Sequence, residues 1–143
     1  MAVELDHSYS TNKSIDENFA AVTDLERVVP CVDGGRVLET IGPDSVKAEI
    51  VMKMGAMSMT FTGTVEVAEK DEAVHRTLLR VKSREAGGQG HANADVTFQL
   101  QEGGGSIHTK AQITGKAASM GEGVVIGVLD ALITDFSQRV GDL

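Results

Sequence analysis

Tryptophan is absent from this chain, and tyrosine occurs once and phenylalanine four times in 143 residues. A core so poor in aromatics lacks its usual large fillers. Cysteine occurs once, at Cys31. No internal disulfide can form, a reducing compartment suits the chain, and the residue reads as a small buried apolar side chain. No run of about eighteen apolar residues occurs, so no segment is expected to span a bilayer as a helix. The opening stretch from Met1 to Asp6 is neither basic nor apolar, so no signal peptide is expected and the cytoplasm is the expected location. A basic excess is also missing: 13 Lys and Arg stand against 21 Asp and Glu, a formal charge of -8. Nucleic acid is therefore not an expected partner, because phosphate binding needs a basic face that releases counterions. Simple electrostatic docking on an anionic membrane is disfavoured for the same reason, which leaves apolar or local contact.

The usual chemical motifs are missing too. His7, His75, His91 and His108 show no metal-ligand spacing, so no metal site is expected. No Gly-x-Ser-x-Gly elbow occurs. Gly87-Gly88-Gln89-Gly90 leads into a strand rather than a helix and so lacks the geometry of a phosphate-binding turn. No carboxylate pair points inward. His75 with Tyr9 is the one pair suited to acid–base chemistry, and no catalytic residue is assigned.

What is present is a long series of strand patterns. At 143 residues one domain, 1–143, is expected, burying about two-thirds of its surface. Val3, Leu5, His7 and Tyr9 alternate with polar residues as in a half-buried strand. Ser14-Ile15-Asp16-Glu17 has capping-box spacing and opens a short helix to about Val22; Thr23-Asp24-Leu25-Glu26 repeats it for a second helix ending near Pro30. Glycine and Asp/Glu-rich turns then bound six strands, at about 36–41, 45–54, 57–69, 73–84, 89–101 and 106–115. Short turns between them imply an antiparallel meander. Ser119-Met120-Gly121-Glu122 is a third capping-box candidate, followed by a helix with the stripe Met120, Val124, Val128, Leu132 and Phe136, widened by Val125, Leu129, Ile133 and Val140. This order specifies an α+β helix-grip (Bet v 1/START-like) fold: a seven-stranded curved antiparallel sheet around a long C-terminal helix, with two short helices after the first strand.

Strand parity predicts which side chains face that helix. Val46, Ala48, Ile50, Met52 and Met54 point inward, followed by Met57, Met59, Phe61, Gly63 and Val65. His75, Thr77, Leu79, Val81 and Ser83 follow, then Ala92, Ala94, Val96 and Phe98, and lastly Thr109 and Ala111. Six methionines partly replace the aromatics, and methionine re-packs around variable shapes. Gly63, Ala92, Ala94 and Ala111 are small for inward positions, and Gly121, Gly123 and Gly127 lower the bulk near the helix start. Close packing needs volume that these residues do not supply, so an apolar ligand cavity is expected. The alternative is a helix that sits closer to the sheet.

Lys53-Met54-Gly55-Ala56-Met57 through Phe61-Thr62-Gly63-Thr64-Val65 is similar to the K-x-G-x-x…F-x-G-x-V signature of the carbon monoxide dehydrogenase CoxG family, within the START/Bet v 1-like superfamily. Gly90-x-Ala92-x-Ala94-x-Val96, the turn Gly103-Gly104-Gly105, Gly115-Lys116-Ala117-Ala118 and Met120-Gly121 also resemble that family's pattern. Its I-P-G-like turn is displaced here, at Val29-Pro30-Cys31-Val32-Asp33-Gly34. The resemblance implies a helix-grip fold and an accessory role beside the molybdenum enzyme that oxidises carbon monoxide. It also implies attachment of that enzyme to the cytoplasmic membrane, in some members through a tail past the last helix; here such a tail is either lacking or lies beyond Leu143.

The combined expectation is a peripheral carrier that binds a respiratory quinone, menaquinone or ubiquinone, and links carbon monoxide dehydrogenase to the membrane quinone pool. No covalent cofactor is expected. The expected wall comprises Ile50, Met52, Met54, Met57, Met59, Phe61, Leu79, Val96, Phe98, Met120, Val124 and Val128, with Tyr9, Thr77 or Thr109 bonding a ring carbonyl. The rivals are a membrane-recruitment adaptor without cargo and a cyclase-type enzyme of the same fold.

Overall fold

Six consecutive hairpin-linked strands set the architecture of the computed structural model, which describes residues 1–143. Strand β1 (Ala2–Ser10) is followed by α1 (Ile15–Val22), α2 (Leu25–Val28) and a 3-10 turn (Val29–Cys31). The meander is β2 (Gly35–Gly42), β3 (Ser45–Met54), β4 (Met57–Asp71), β5 (Arg76–Glu85), β6 (His91–Gln101) and β7 (Gly104–Ile113). A second 3-10 turn (Ala118–Met120) leads into α3 (Glu122–Gly141). The seven-stranded sheet runs β1-β7-β6-β5-β4-β3-β2, antiparallel throughout, so β1 closes the free edge of β7. Helix α3 packs against β1 and β3, which makes this the helix-grip arrangement expected from the order of elements. None of the helices is long and apolar enough to cross a membrane.

Local chemistry explains the first helix. Ser14 Oγ accepts from the Glu17 amide, and the Glu17 carboxylate accepts from the Ser14 amide, a complete capping box. The other two expected boxes do not form. The Thr23 hydroxyl donates back to the Phe19 carbonyl at 2.8 Å, so Thr23 ends α1 and Asp24 starts α2. Ser119 Oγ bonds the Lys116 carbonyl, and α3 starts from Gly121, whose φ of +100° suits glycine.

His75 is a further correction. Strand β4 runs on to Asp71, so His75 falls in the β4–β5 turn, with φ +52°, and is not part of the inward series of β5. Its Nε2 lies 3.1 Å from Asp16 Oδ1, and its ring meets Phe19 edge-on at 5.9 Å. From Thr77 onward the inward parity of β5 is as expected.

Large side chains concentrate at one end of the molecule. Tyr9, Phe19, Phe98 and Phe136 belong to one buried cluster, with Val22, Leu25, Leu100, Ile107 and Val140. Inside it, Tyr9 Oη donates to Asn18 Oδ1 at 2.8 Å, and Asn18 Nδ2 donates to the Gly104 carbonyl. Asn18 thus ties α1 to the adjacent strands β1 and β7. Burial pushes the Tyr9 phenol up to about 12, against a smaller opposing effect of the Asn18 hydrogen bond. The second cluster is rich in methionine: Met52, Met54 and Met59 pack with Phe61, Ile113, Val125 and Leu129.

Two outcomes follow. The raised Tyr9 pKa keeps the folded-state phenol neutral while the unfolded one ionises from about pH 10. Stability therefore falls as pH rises from 10 towards 12, by up to about 3 kcal/mol for this group. Tyr9→Phe removes that share of the alkaline loss but costs about 1–3 kcal/mol at pH 7 by stripping a buried Asn18 oxygen of its donor; urea titrations at pH 8 and 11 check both. An added Cβ at Gly63 lies 1.8 Å from the Lys82 carbonyl oxygen. Gly63→Ala is therefore expected to lower stability by about 1–3 kcal/mol, measured the same way.

Candidate functional site

The register places small inward residues side by side. Val46, Val65, Val81, Ala94, Ala111 and Val3 form one row across the sheet, and Ala48, Gly63, Ser83, Ala92 and Ile113 form the next. Alanines at neighbouring positions of adjacent strands leave a depression that no side chain of the sheet fills. Over it lies a cavity of about 150 Å³, roofed by Leu129, Leu132, Ile133 and Phe136 of α3. Val28, Val29 and Val32, from α2 and the turn after it, close one side.

The lining is almost wholly apolar. Ser83 Oγ is bonded to the Ala92 carbonyl, and Asn93 Oδ1 accepts from the Ser83 amide. Thr109 differs. Its side chain is buried, it borders the cavity, and its Oγ1 has no hydrogen-bond partner. A buried hydroxyl without a partner costs about 1–3 kcal/mol, so the site offers an unused donor to anything that enters.

Of the residues expected to form the wall, Ile50, Met52, Phe61, Leu79, Val96 and Thr109 line this cavity. Nine others do not. Tyr9 is committed to Asn18, and Thr77 Oγ1 donates to the Glu69 carbonyl at 2.7 Å. Phe98 is fully buried edge-to-face against Phe136, with ring centroids 6.2 Å apart. Met54 and Met59 are buried in the methionine cluster beyond the cavity, and Met57 is half-buried at the β3–β4 turn. Met120 sits in the 3-10 turn, half-buried, with its terminal methyl 3.9 Å from where a Cβ at Gly55 would be.

Val124 and Val128 miss for a geometric reason. The buried line of α3 is Val125, Leu129, Ile133, Phe136 and Val140. The expected stripe holds at Leu132 and Phe136, and its expected widening through Val125, Leu129, Ile133 and Val140 is buried, whereas Met120, Val124 and Val128 stand outside the cavity lining. Val124 is exposed and Val128 half-buried, both facing an outer groove. Gly63 is also reassigned: it permits close backbone contact with Lys82 and Ser83 and is not part of the lining.

Sequence reasoning missed the three valines after α1. A short helix carries too few residues to reveal its inward face. Ala48, Ala92, Ala94 and Ala111, by contrast, were legible from strand parity. His91 lies on the outer face, as expected, and so does His108, whose ring is 2.6 Å from Asp6 Oδ1. That hydrogen bond holds the His108 pKa above its ordinary value, on the far side of the sheet from the cavity.

Comparison with curated protein sequences gives no match. Among solved structures, a conserved protein from Geobacillus kaustophilus is similar over 99% of this chain and 93% of its own, at 22% identity and TM-score 0.79. The Zhui aromatase/cyclase from Streptomyces sp. R1128 is similar at 14% identity, with coverages of 99% and 93% and TM-score 0.62. A START superfamily protein from Mycobacterium smegmatis is similar at 10% identity, with coverages of 99% and 94% and TM-score 0.60. These likenesses establish the START/Bet v 1-like fold. A profile of the carbon monoxide dehydrogenase CoxG family matches residues 8–141. With that match spanning nearly the whole of the grip fold, the chain belongs to the CoxG family.

Proposed function

We propose that this chain is a carrier that holds a respiratory quinone, menaquinone or ubiquinone, between the membrane and carbon monoxide dehydrogenase. The observation that carries the reading is the apolar cavity between α3 and the alanine rows, with the unpartnered Thr109 hydroxyl at its edge. A quinone ring is flat and apolar and bears carbonyl acceptors, so it matches both properties. The redox balance is simple. Oxidation of carbon monoxide with water to carbon dioxide releases two electrons and two protons, and one quinone takes up both pairs to become a quinol.

Size refines the picture. An apolar cavity of about 150 Å³ accepts benzene, whereas sites for drug-sized ligands span roughly 300–1,000 Å³. The cavity of about 150 Å³ here thus represents a contracted state that widens on loading, and flexible Met52 is suited to yield. Leaving a bilayer for this cavity exchanges one apolar medium for another, so the transfer gain of roughly 0.8 kcal/mol per methylene nearly cancels. Fit and the Thr109 hydrogen bond then decide, which keeps loading weak and reversible.

The reading makes the chain a peripheral membrane visitor and assigns it no catalysis. The two side chains suited to acid–base chemistry, Tyr9 and His75, stand outside the lining. Two variants test the proposal. Thr109→Val is nearly isosteric and removes an unsatisfied hydroxyl, so stability is expected to hold or rise by about 1 kcal/mol while quinone affinity falls about five- to tenfold. Ala111→Leu fills the cavity and is expected to abolish quinone binding in a folded protein, read by fluorescence or calorimetric titration. Unchanged quinone affinity in folded Ala111→Leu overturns the cavity as the site; recruitment of the dehydrogenase by that same variant favours a cargo-free adaptor.

A further inference from the structure

Met52 and Leu132 border two concavities at once. On one side they line the internal cavity, and on the other they belong to an open groove between α3 and the last residues of β3, beyond its pairing with β2. Val51 and Val124 stand at this groove, 41% and 42% exposed, although large apolar side chains ordinarily seek cover. Along α3 the groove is bordered by Gly123, Gly127 and Ala131. A Cβ added at Gly123 or Gly127 meets nothing within 4 Å. Interior glycine weakens a helix, and no neighbour here requires it. Room is left on this face that the chain itself does not use. The adjoining cavity supplies the independent sign of a ligand: the Thr109 hydroxyl, on a residue only 5% exposed and without a partner.

We infer that the groove is the outer half of the ligand site, holding the polyisoprenoid tail of a quinone whose ring lies in the cavity. Met52 and Leu132 form the partition that parts to admit it. This inference rests on the carrier reading above and deepens it. An unbranched methionine can swing aside at little cost. Arg139 contacts Asp135 at 2.9 Å and Asp33 at 3.9 Å, tying α3 to the loop before β2. The partition therefore opens from the other, glycine-containing end of the helix, around Gly121 and Gly123. A tail in the groove also accounts for a cavity too small for a whole prenylated quinone: only the ring need be enclosed.

The test compares wild type, Gly127→Ala and Gly127→Phe, each checked by thermal melting, in uptake from phosphatidylcholine vesicles. The vesicles contain either a polyprenylated naphthoquinone or the tail-free 2-methyl-1,4-naphthoquinone. Gly127→Phe is expected to take up the tailed quinone about tenfold less well, the equivalent of roughly two buried methylenes. Its uptake of the tail-free quinone is expected to be unchanged, and Gly127→Ala, which intrudes less into the groove, should lose less of the tailed one. Equal uptake of the tailed quinone by Gly127→Phe and wild type overturns the groove and leaves the carrier standing. Parallel loss of both quinones in folded Gly127→Phe also overturns it, because the effect then reaches the ring site. Wild type that takes up neither quinone overturns the carrier reading, and the groove with it.

Discussion

Helix α3 is held away from the middle of the sheet by bulky contacts at two separated places, and the cavity depends on that separation. At one end Phe136 rests edge-on against fully buried Phe98. At the other, Val125 and Leu129 pack into the cluster of Met52, Met54, Met59 and Phe61. Between these supports the sheet offers Ala94 facing Ala111. A straight helix cannot drop onto the alanines without displacing the large side chains at its ends, so the alternative of a helix seated closer to the sheet does not occur. With the cavity-cost coefficient of about 24 cal/mol per Å³, an empty space of about 150 Å³ corresponds to about 3–4 kcal/mol. That is a sizeable share of the 5–15 kcal/mol typical of a whole domain, and a ligand that fills the space recovers part of it.

The scarcity of aromatics now has a structural meaning. Tyr9 and three of the four phenylalanines make the closed end rigid, where Asn18 adds hydrogen bonds to β1 and β7. At the other end methionines share the packing with Phe61, Val125 and Leu129, and methionine re-packs at little cost. Rigidity and compliance are thus divided along α3. A carrier needs that division, since an opening must not unfold the scaffold. A hydrogen bond also joins β1 to α3: His7 Nε2 lies 2.8 Å from Asp130 Oδ1.

The fold was legible because its signals are local. Alternating strands, glycine turns and the Ser14–Glu17 capping box specify elements from residues a few positions apart. The cavity floor was legible for the same reason, since strand parity places Ala48, Ala92, Ala94 and Ala111 inward. The helix phase was not. Valine or leucine occupies enough of α3 that a line through Val124 and Val128 reads as well as one through Val125 and Leu129. The choice rests on tertiary packing, which buries Val125 and Leu129 in the methionine cluster. Tyr9 and Thr77 misled parity for a different reason: both point inward, but nearby acceptors, Asn18 Oδ1 and the Glu69 carbonyl, consume their hydroxyls. Which inward hydroxyl stays free depends on long-range packing, and only the folded chain singles out Thr109.

The central claim is that the cavity holds a quinone. Organic extraction of the purified protein after brief exposure to bacterial membranes, followed by mass spectrometry, tests it most directly. A menaquinone or ubiquinone at close to one per chain in wild type, and absent from folded Ala111→Leu, is the expected result. A protein that emerges from the membranes with no extractable lipophile, or with the same quinone content in Ala111→Leu, contradicts it.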